Sequence, residues 1–349
     1  MTDLPPTEPE VTSAAGERPA PEQPEPPTRE DLEREILGEH PHLTSAEIVS
    51  RDDATIERAR VLWRALGFPD AGETAAFTSS DKEAMALLLS LVESGALDFE
   101  VAVKMTRAVG RTMARLADWQ VATLSDYVEQ LEHDGMGTGS RLSTGLDVIR
   151  NVEPSFEELM TYAWRRHLAA SVGRVEALGA TDSDLHTVTV TVGFADLVSF
   201  TQLSTDITQE RLAEMVEGFE SLCADLVTGG GGRVIKTLGD SVLFIADSPR
   251  AGVDIASAIV DRIGGDDRLP DVHVGLATGP VVMRFGDVFG SPVNLASRLT
   301  TVARRNRVIA DQPTADAVAM LDAYTARPLS ERPIRGFGPI HPFAVRRLS

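Results

Sequence analysis

Apolar residues recur every three or four positions from about residue 28 to residue 178, then switch to strict alternation near residue 186. The first pattern predicts helices with one buried stripe, and the second predicts strands. Thr28 is placed to cap a helix whose first turn holds Glu30 and Asp31. Asp81 is expected to cap the run Lys82–Glu93, where Ala84, Leu87, Leu88 and Leu91 share a face. Asp98 opens a longer run through Val101, Met105, Val109, Met113, Leu116 and Trp119. Gly67–Pro69 and Gly135–Gly139 separate these helices. A further stripe over residues 154–178 holds Phe156, Leu159, Met160, Ala163, Leu168 and Val172, flanked by Arg165, Arg166 and His167.

After the switch, His186–Gly193 alternates Thr and Val as a strand does. A helix is expected near Gln209–Val227, and a hairpin of Arg233–Thr237 with Ser241–Ala246 around Gly239-Asp240. A helix over Arg250–Ile263, a strand Val272–Leu276, a helix Val293–Val302 and a last strand Pro342–Arg346 follow. That order predicts a mixed sheet carrying helices, not a doubly wound one. The expected division is a Pro-rich acidic tail over residues 1–27, disordered by composition. An all-α part follows over 28–153, a linker helix over 154–183, and an α+β part over 184–349.

The 349 residues carry 33 Lys+Arg against 53 Asp+Glu, a net charge of −20. Such a chain lacks the basic surface that phosphate backbones need, so a nucleic-acid partner is not expected. The longest apolar stretch, near Ala86–Val92, falls well short of the ~20 residues that span a bilayer. No charged-then-apolar leader opens the sequence, and the one cysteine, Cys223, reads as a small buried hydrophobe. Both point to a reducing, cytoplasmic setting. Thirty of the cations are Arg and three are Lys, at positions 82, 104 and 236. A Lys kept against that bias suggests a need for a compact ammonium.

Three groups of residues have the chemistry of a site. Asp196 ends a strand and Asp240 sits at a hairpin tip. Each alone reads as a cap or turn residue, but together they match a Mg²⁺ site of one or two carboxylates completed by substrate phosphates. Lys236, four residues before Asp240, is either a surface cation or part of the same site. Asp287, Asn294 and Arg298 crowd one segment, and the last two share a helix face. An amide and a cation there suit developing negative charge, or make an ordinary exposed face. Gly229–Gly232 lacks the Gly-Lys-Ser/Thr ending of a P-loop and reads as a turn, and the seven histidines form no zinc pattern.

The segments Phe194-Ala-Asp-Leu-Val-Ser-Phe-Thr201, Lys236-Thr-Leu-Gly-Asp240 and Gly286–Leu299 together resemble the class III nucleotidyl cyclase catalytic domain. The resemblance implies a ferredoxin-like βαββαβ core and head-to-tail pairing of two copies in a homodimer with composite sites. It implies that Asp196, Asp240 and the Leu197 carbonyl bind two Mg²⁺ or Mn²⁺ ions. Lys236 and Asp287 would select the adenine of ATP, where guanylyl cyclases carry other residues. Asn294 would orient the ribose and Arg298 would stabilise the α-phosphate. Arg335, in Ile334-Arg-Gly-Phe-Gly338, is similar to the basic residue that holds the terminal phosphates, often a Lys. Ser199 stands where the family commonly has Gly.

Phe77–Ala84, Ala114–Gln120 and Leu159–Arg166 resemble the N-terminal regulatory domain of actinobacterial pH-responsive adenylyl cyclases. That implies autoinhibition by the helical part. Relief at acid pH is the expectation, with His167 the best-placed titrating group. The expected function is adenylyl cyclase. The alternatives are a guanylyl cyclase, or an inactive cyclase-like dimer that senses pH or a lipid bound to the helical part.

Overall fold

The computed structural model describes residues 27–49, 53–177, 187–284 and 286–348. The expected tail, apart from its last residue, and the junction at residues 183–184 lie outside them. The described residues fall into two compact units that divide between Arg165 and Arg166.

The helices of the first part are α1 (Arg29–Leu37), α2 (Ser45–Ile48), α3 (Asp53–Leu66), α4 (Ser79–Glu93), α5 (Phe99–His133) and α6 (Arg141–Ala177). Thr28 caps α1 as expected, its hydroxyl accepting from the Asp31 N–H at 3.2 Å. The cap of α4 is Thr78, not Asp81. Asp81 is the third helical residue, and its carboxylate accepts from the Thr78 N–H at 2.8 Å. This reciprocal box satisfies two orphan donors and starts the helix three residues earlier than a lone Asp cap would. Leu62, Phe77, Met85, Leu89 and Ala102 form the core here. The face of α5 turned to α3 is small: Ala102, Thr106 and Gly110 are buried. A Cβ on Gly110 would stand 2.1 Å from the Leu66 carbonyl oxygen, so only glycine lets the helices cross at that distance. The segment from residue 154 continues α6, which carries Pro154 in its interior and is tied to α1 by Arg150 and Glu35 at 2.7 and 2.8 Å.

The second part begins with β1 (Thr187–Leu197), α7 (Phe200–Asp206), α8 (Gln209–Gly229), β2 (Arg233–Thr237) and β3 (Ser241–Ala246). It continues with α9 (Pro249–Ile263), β4 (Val272–Arg284), β5 (Asp287–Phe289), α10 (Ser291–Val302) and β6 (Arg307–Ala310). It closes with α11 (Gln312–Ala319), β7 (Tyr324–Pro328), β8 (Arg332–Ile334), β9 (Gly338–Ile340) and β10 (Phe343–Arg347). The main sheet runs β2-β3-β1-β4-β6-β10-β7, with β5 on β4, and β8 pairs with β9 apart from it. Its first four strands, all antiparallel, form the expected ferredoxin-like core, and β4 with β6 is parallel. Strand alternation sends Val242 and Phe244 to the face covered by α8 and α9, where Phe219, Cys223 and Ile259 are fully buried. Leu243 and Ile245 face the other way, onto the cluster that Ala296 of α10 joins. Gly275 makes that contact close, since a Cβ there would lie 2.3 Å from the Ala296 carbonyl oxygen. The hairpin appears at its expected bounds, while β4 runs eight residues past its expected end.

Candidate active site

The antiparallel register of β1 and β3 sets Asp196 opposite Ser241, next to Asp240 at the β2–β3 turn. The Leu197 N–H donates to the Asp240 carbonyl at 3.0 Å, so the two acidic residues are held by one backbone bond. The Ser241 hydroxyl donates to Asp196. Burial pushes the Asp196 carboxyl above the usual range; the Asp240 charge adds to this, against the pull of Ser241 and His273. A half-buried carboxylate beside a second one gains from a cation between them. Among the described residues no group of three or more His, Cys, Asp or Glu side chains is placed to hold a metal. A Mg²⁺ ion is commonly held by one or two carboxylates with substrate oxygens completing its shell, which a pair such as Asp196 and Asp240 suits.

Lys236 sits on β2 beside a bulge, and β5 brings Asp287 to it. Its Nζ lies 2.6 Å from Asp287 Oδ2, and Asp287 Oδ1 accepts from the Val288 N–H at 2.8 Å. The ammonium and the carboxylate are each about one third exposed, open enough to meet a ligand. On α10, Asn294 is exposed one turn before Arg298, which is half-buried. Arg298 Nε is buried with no hydrogen-bond partner among the described residues. A charged donor left unpaired is costly unless a ligand completes it.

The structure thus joins the predicted residues into separate groups. Asp196, Leu197 and Asp240 are one, Lys236 and Asp287 a second, and Asn294 with Arg298 a third. Arg335 stands apart, exposed at the β8–β9 turn. Two neighbours of Asp196 were missed by the sequence reading. Ser241 was legible as the residue after Asp240 once the strands were paired, and His273 becomes a neighbour only through the β1–β4 register. Ser199 has φ of 58°, in the left-handed region. That backbone requirement explains why a glycine suits this position.

The model of the "Adenylate and Guanylate cyclase catalytic domain" matches residues 185–346. An adenylate cyclase of Streptomyces coelicolor is 37% identical over 358 aligned positions, covering 94% of this chain and 93% of that one. The chain belongs to the class III cyclase family. An adenylate cyclase of Streptomyces griseus is 38% identical over 280 positions, 80% of this cyclase and 69% of that protein. A pH-sensitive adenylate cyclase of Mycobacterium tuberculosis is 37% identical over 162 positions, 45% of this cyclase and 41% of that one. No helix among the described residues of this cyclase is long and apolar enough to cross a membrane. Dependence on a divalent cation is general to the family, and the three groups lie within the matched region.

Proposed function

We infer that this chain is an adenylate cyclase, forming 3′,5′-cyclic AMP and pyrophosphate from ATP. The observation that carries the reading is the Lys236–Asp287 pair within a cyclase catalytic domain. Adenine offers an amino donor beside a ring-nitrogen acceptor, which a carboxylate and an ammonium answer; guanine offers a carbonyl acceptor at the corresponding position. In this proposal Asp196, Asp240 and the Leu197 carbonyl hold two Mg²⁺ or Mn²⁺ ions. When bound, these ions lower the pKa of the ribose 3′-OH and offset triphosphate charge. Asn294 orients the ribose so that its 3′ oxygen stands in line with the α-phosphorus. Arg298 meets the charge that develops on the α-phosphate, and Arg335 holds the terminal phosphates. The site is composite in this proposal, with the carboxylates from one copy and the remaining residues from its partner.

The proposed domains are a helical regulatory region over 28–153, a linker helix over 154–183 and the catalytic domain over 184–349. The regulatory region restrains the catalytic one, and acid pH relieves the restraint, with His167, exposed on α6, as the residue to test. The apolar cavity lined by Ile48, Trp63, Phe77 and Met85 measures about 30 Å³, room for a water and not for an acyl chain, so the lipid expectation gains no support.

The test is product formation by the full chain with Mn²⁺, on ATP and GTP separately, at acid and mildly alkaline pH. Cyclic AMP from ATP, little product from GTP and more activity at acid pH are expected. Equal use of GTP overturns the base assignment. No product from a dimer that sediments as folded overturns the enzymatic one. A pH profile unchanged by His167→Ala removes that residue from the regulation.

A further inference from the structure

Helix α5 has a second, unpartnered face. Val101, Met105, Val109, Met113, Trp119 and Tyr127 recur along it, each at least 41% exposed. Half-buried Leu116 lies at the middle of this stripe. The charges beside it are segregated. Lys104, Arg107, Arg111 and Arg115 occupy the first half, whose sole acid is Glu100. Asp118, Asp126, Glu129 and Glu132 occupy the second half, which has no Lys or Arg. At 3.6 residues per turn these eight side chains fall in one sector of about 120°, bordering the stripe.

We propose that this face pairs antiparallel with α5 of a second copy of the chain, about a twofold axis near Leu116. In an antiparallel pair related by a twofold axis, each flank meets the same flank of its partner in reverse order. The basic half then lies along the acidic half twice over. Lys104, Arg107 and Arg115 come opposite Glu129, Asp126 and Asp118, while Met105 comes opposite Tyr127 and Val109 opposite Thr123. A parallel pair would set this charged flank against the partner's opposite flank, where Thr106, Gly110, Ala117 and Leu124 offer no charge, and an anionic surface would meet four carboxylates. The pattern is complementary to itself, which selects a second copy as the occupant. Lys104 and Glu129 form exposed ion pairs with Glu100 and Arg141 in the single chain. Such pairs contribute little at a wet surface and exchange readily.

The stripe from Val101 to Tyr127 is about 39 Å long and about 10 Å wide, on the order of 400 Å² per copy. That is about half of what a standard interface buries on each partner. The contact therefore acts together with the pairing of catalytic units, so it rests on the composite-site reading for its second copy. Tethering converts it into a nearly intramolecular step.

The test is thiol cross-linking of the full chain in a Cys223→Ser background with a short bis-maleimide. Leu116→Cys is expected to give a covalent dimer. Met105→Cys is not, because its copy stands about 33 Å away in this register. Arg107→Glu or Asp126→Arg alone should lower the Leu116→Cys yield several-fold, and the two together should restore it. Circular dichroism checks folding, and exposed Thr112→Cys with a longer linker repeats the test if Leu116→Cys does not fold. Equal cross-linking at positions 105 and 116 overturns the antiparallel register. A chain that sediments as a dimer without cross-linking at 116 or 112 overturns this interface and leaves the composite site standing. A chain that stays monomeric overturns both.

Discussion

The grouping of the site residues predicts complementation between two inactive variants. Asp196→Ala removes a carboxylate of the first group, and Arg298→Ala removes the cation of the third. Each variant alone should be nearly dead. A preorganised charged donor is worth on the order of 10²–10³ in rate, and loss of a cation-binding carboxylate should cost at least as much. Co-refolded in equal amounts, the chains pair at random, and about half of the dimers are mixed. In a mixed dimer one site takes both lesions and the other takes none. The mixture should therefore recover about a quarter of wild-type activity per chain, at least tenfold above either parent. Mixing Lys236→Ala with Arg298→Ala provides the control, because both belong to the same half of the site; there the mixture should stay at the level of its parents. Cyclic AMP formation from ATP with Mn²⁺ is the readout, after sedimentation has confirmed dimers. A mixture of Asp196→Ala and Arg298→Ala no more active than its parents would refute the composite arrangement.

Other consequences follow from individual contacts. Asp196 has a folded pKa above its ordinary value of 3.8, so its contribution to stability is present below that value and lost as pH rises through the folded one. Asp196→Asn should therefore abolish activity, raise the thermal midpoint at neutral pH and flatten its decline between mildly acid and neutral pH; a lower midpoint would contradict the assigned cause. Burial pushes the Cys223 thiol up to about 12, so it should resist maleimide in the native protein and react after denaturation. Ser199→Gly should relieve the left-handed strain at φ 58°, leaving activity intact and gaining at most about 1 kcal/mol after the added backbone entropy of glycine. Gly275→Ala should cost about 1–3 kcal/mol and lower kcat, because the new methyl meets the backbone of α10 and displaces Arg298.

Elements whose local chemistry and burial agree were legible in the sequence. The β2–β3 hairpin was readable because Gly239-Asp240 sits between two apolar runs, and both of its strands emerged at the expected residues. The carboxylate pair was readable for the same reason, since a strand end and a hairpin tip are fixed by local pattern. Asp81 misled because a first-turn acid and a cap look alike until the Thr three residues upstream is weighed with it. The extra length of β4 has no local signal, because Gly279 and Pro280 are poor strand residues that here lie in a strand whose partner β1 continues past them. His273 beside Asp196 depends on register across a long sequence separation, which no local pattern encodes.

The long helices pose the reverse problem. The stripe of α5 was visible from spacing alone, and spacing predicts burial. In the structure the burial on that helix falls instead on the small residues Ala102, Thr106 and Gly110, turned toward α3, and on Val128 near its far end. The larger residues of the stripe, Met105, Val109 and Trp119, stay exposed. A helix that packs inward with small residues and outward with large ones has the wrong polarity for an isolated subunit. Small residues bring α3 close, and large ones reach across to something further away. The charge reversal at Leu116 narrows that something to an antiparallel copy, because a flank that is basic and then acidic finds its complement in its own reverse. The same reasoning applies to the catalytic residues. Among the described residues Arg298 Nε is buried without a hydrogen-bond partner, and Asp196 and Asp240 stand side by side as two carboxylates. On the composite-site proposal, a second copy with ATP bound completes features of both units that the described residues of one chain leave open.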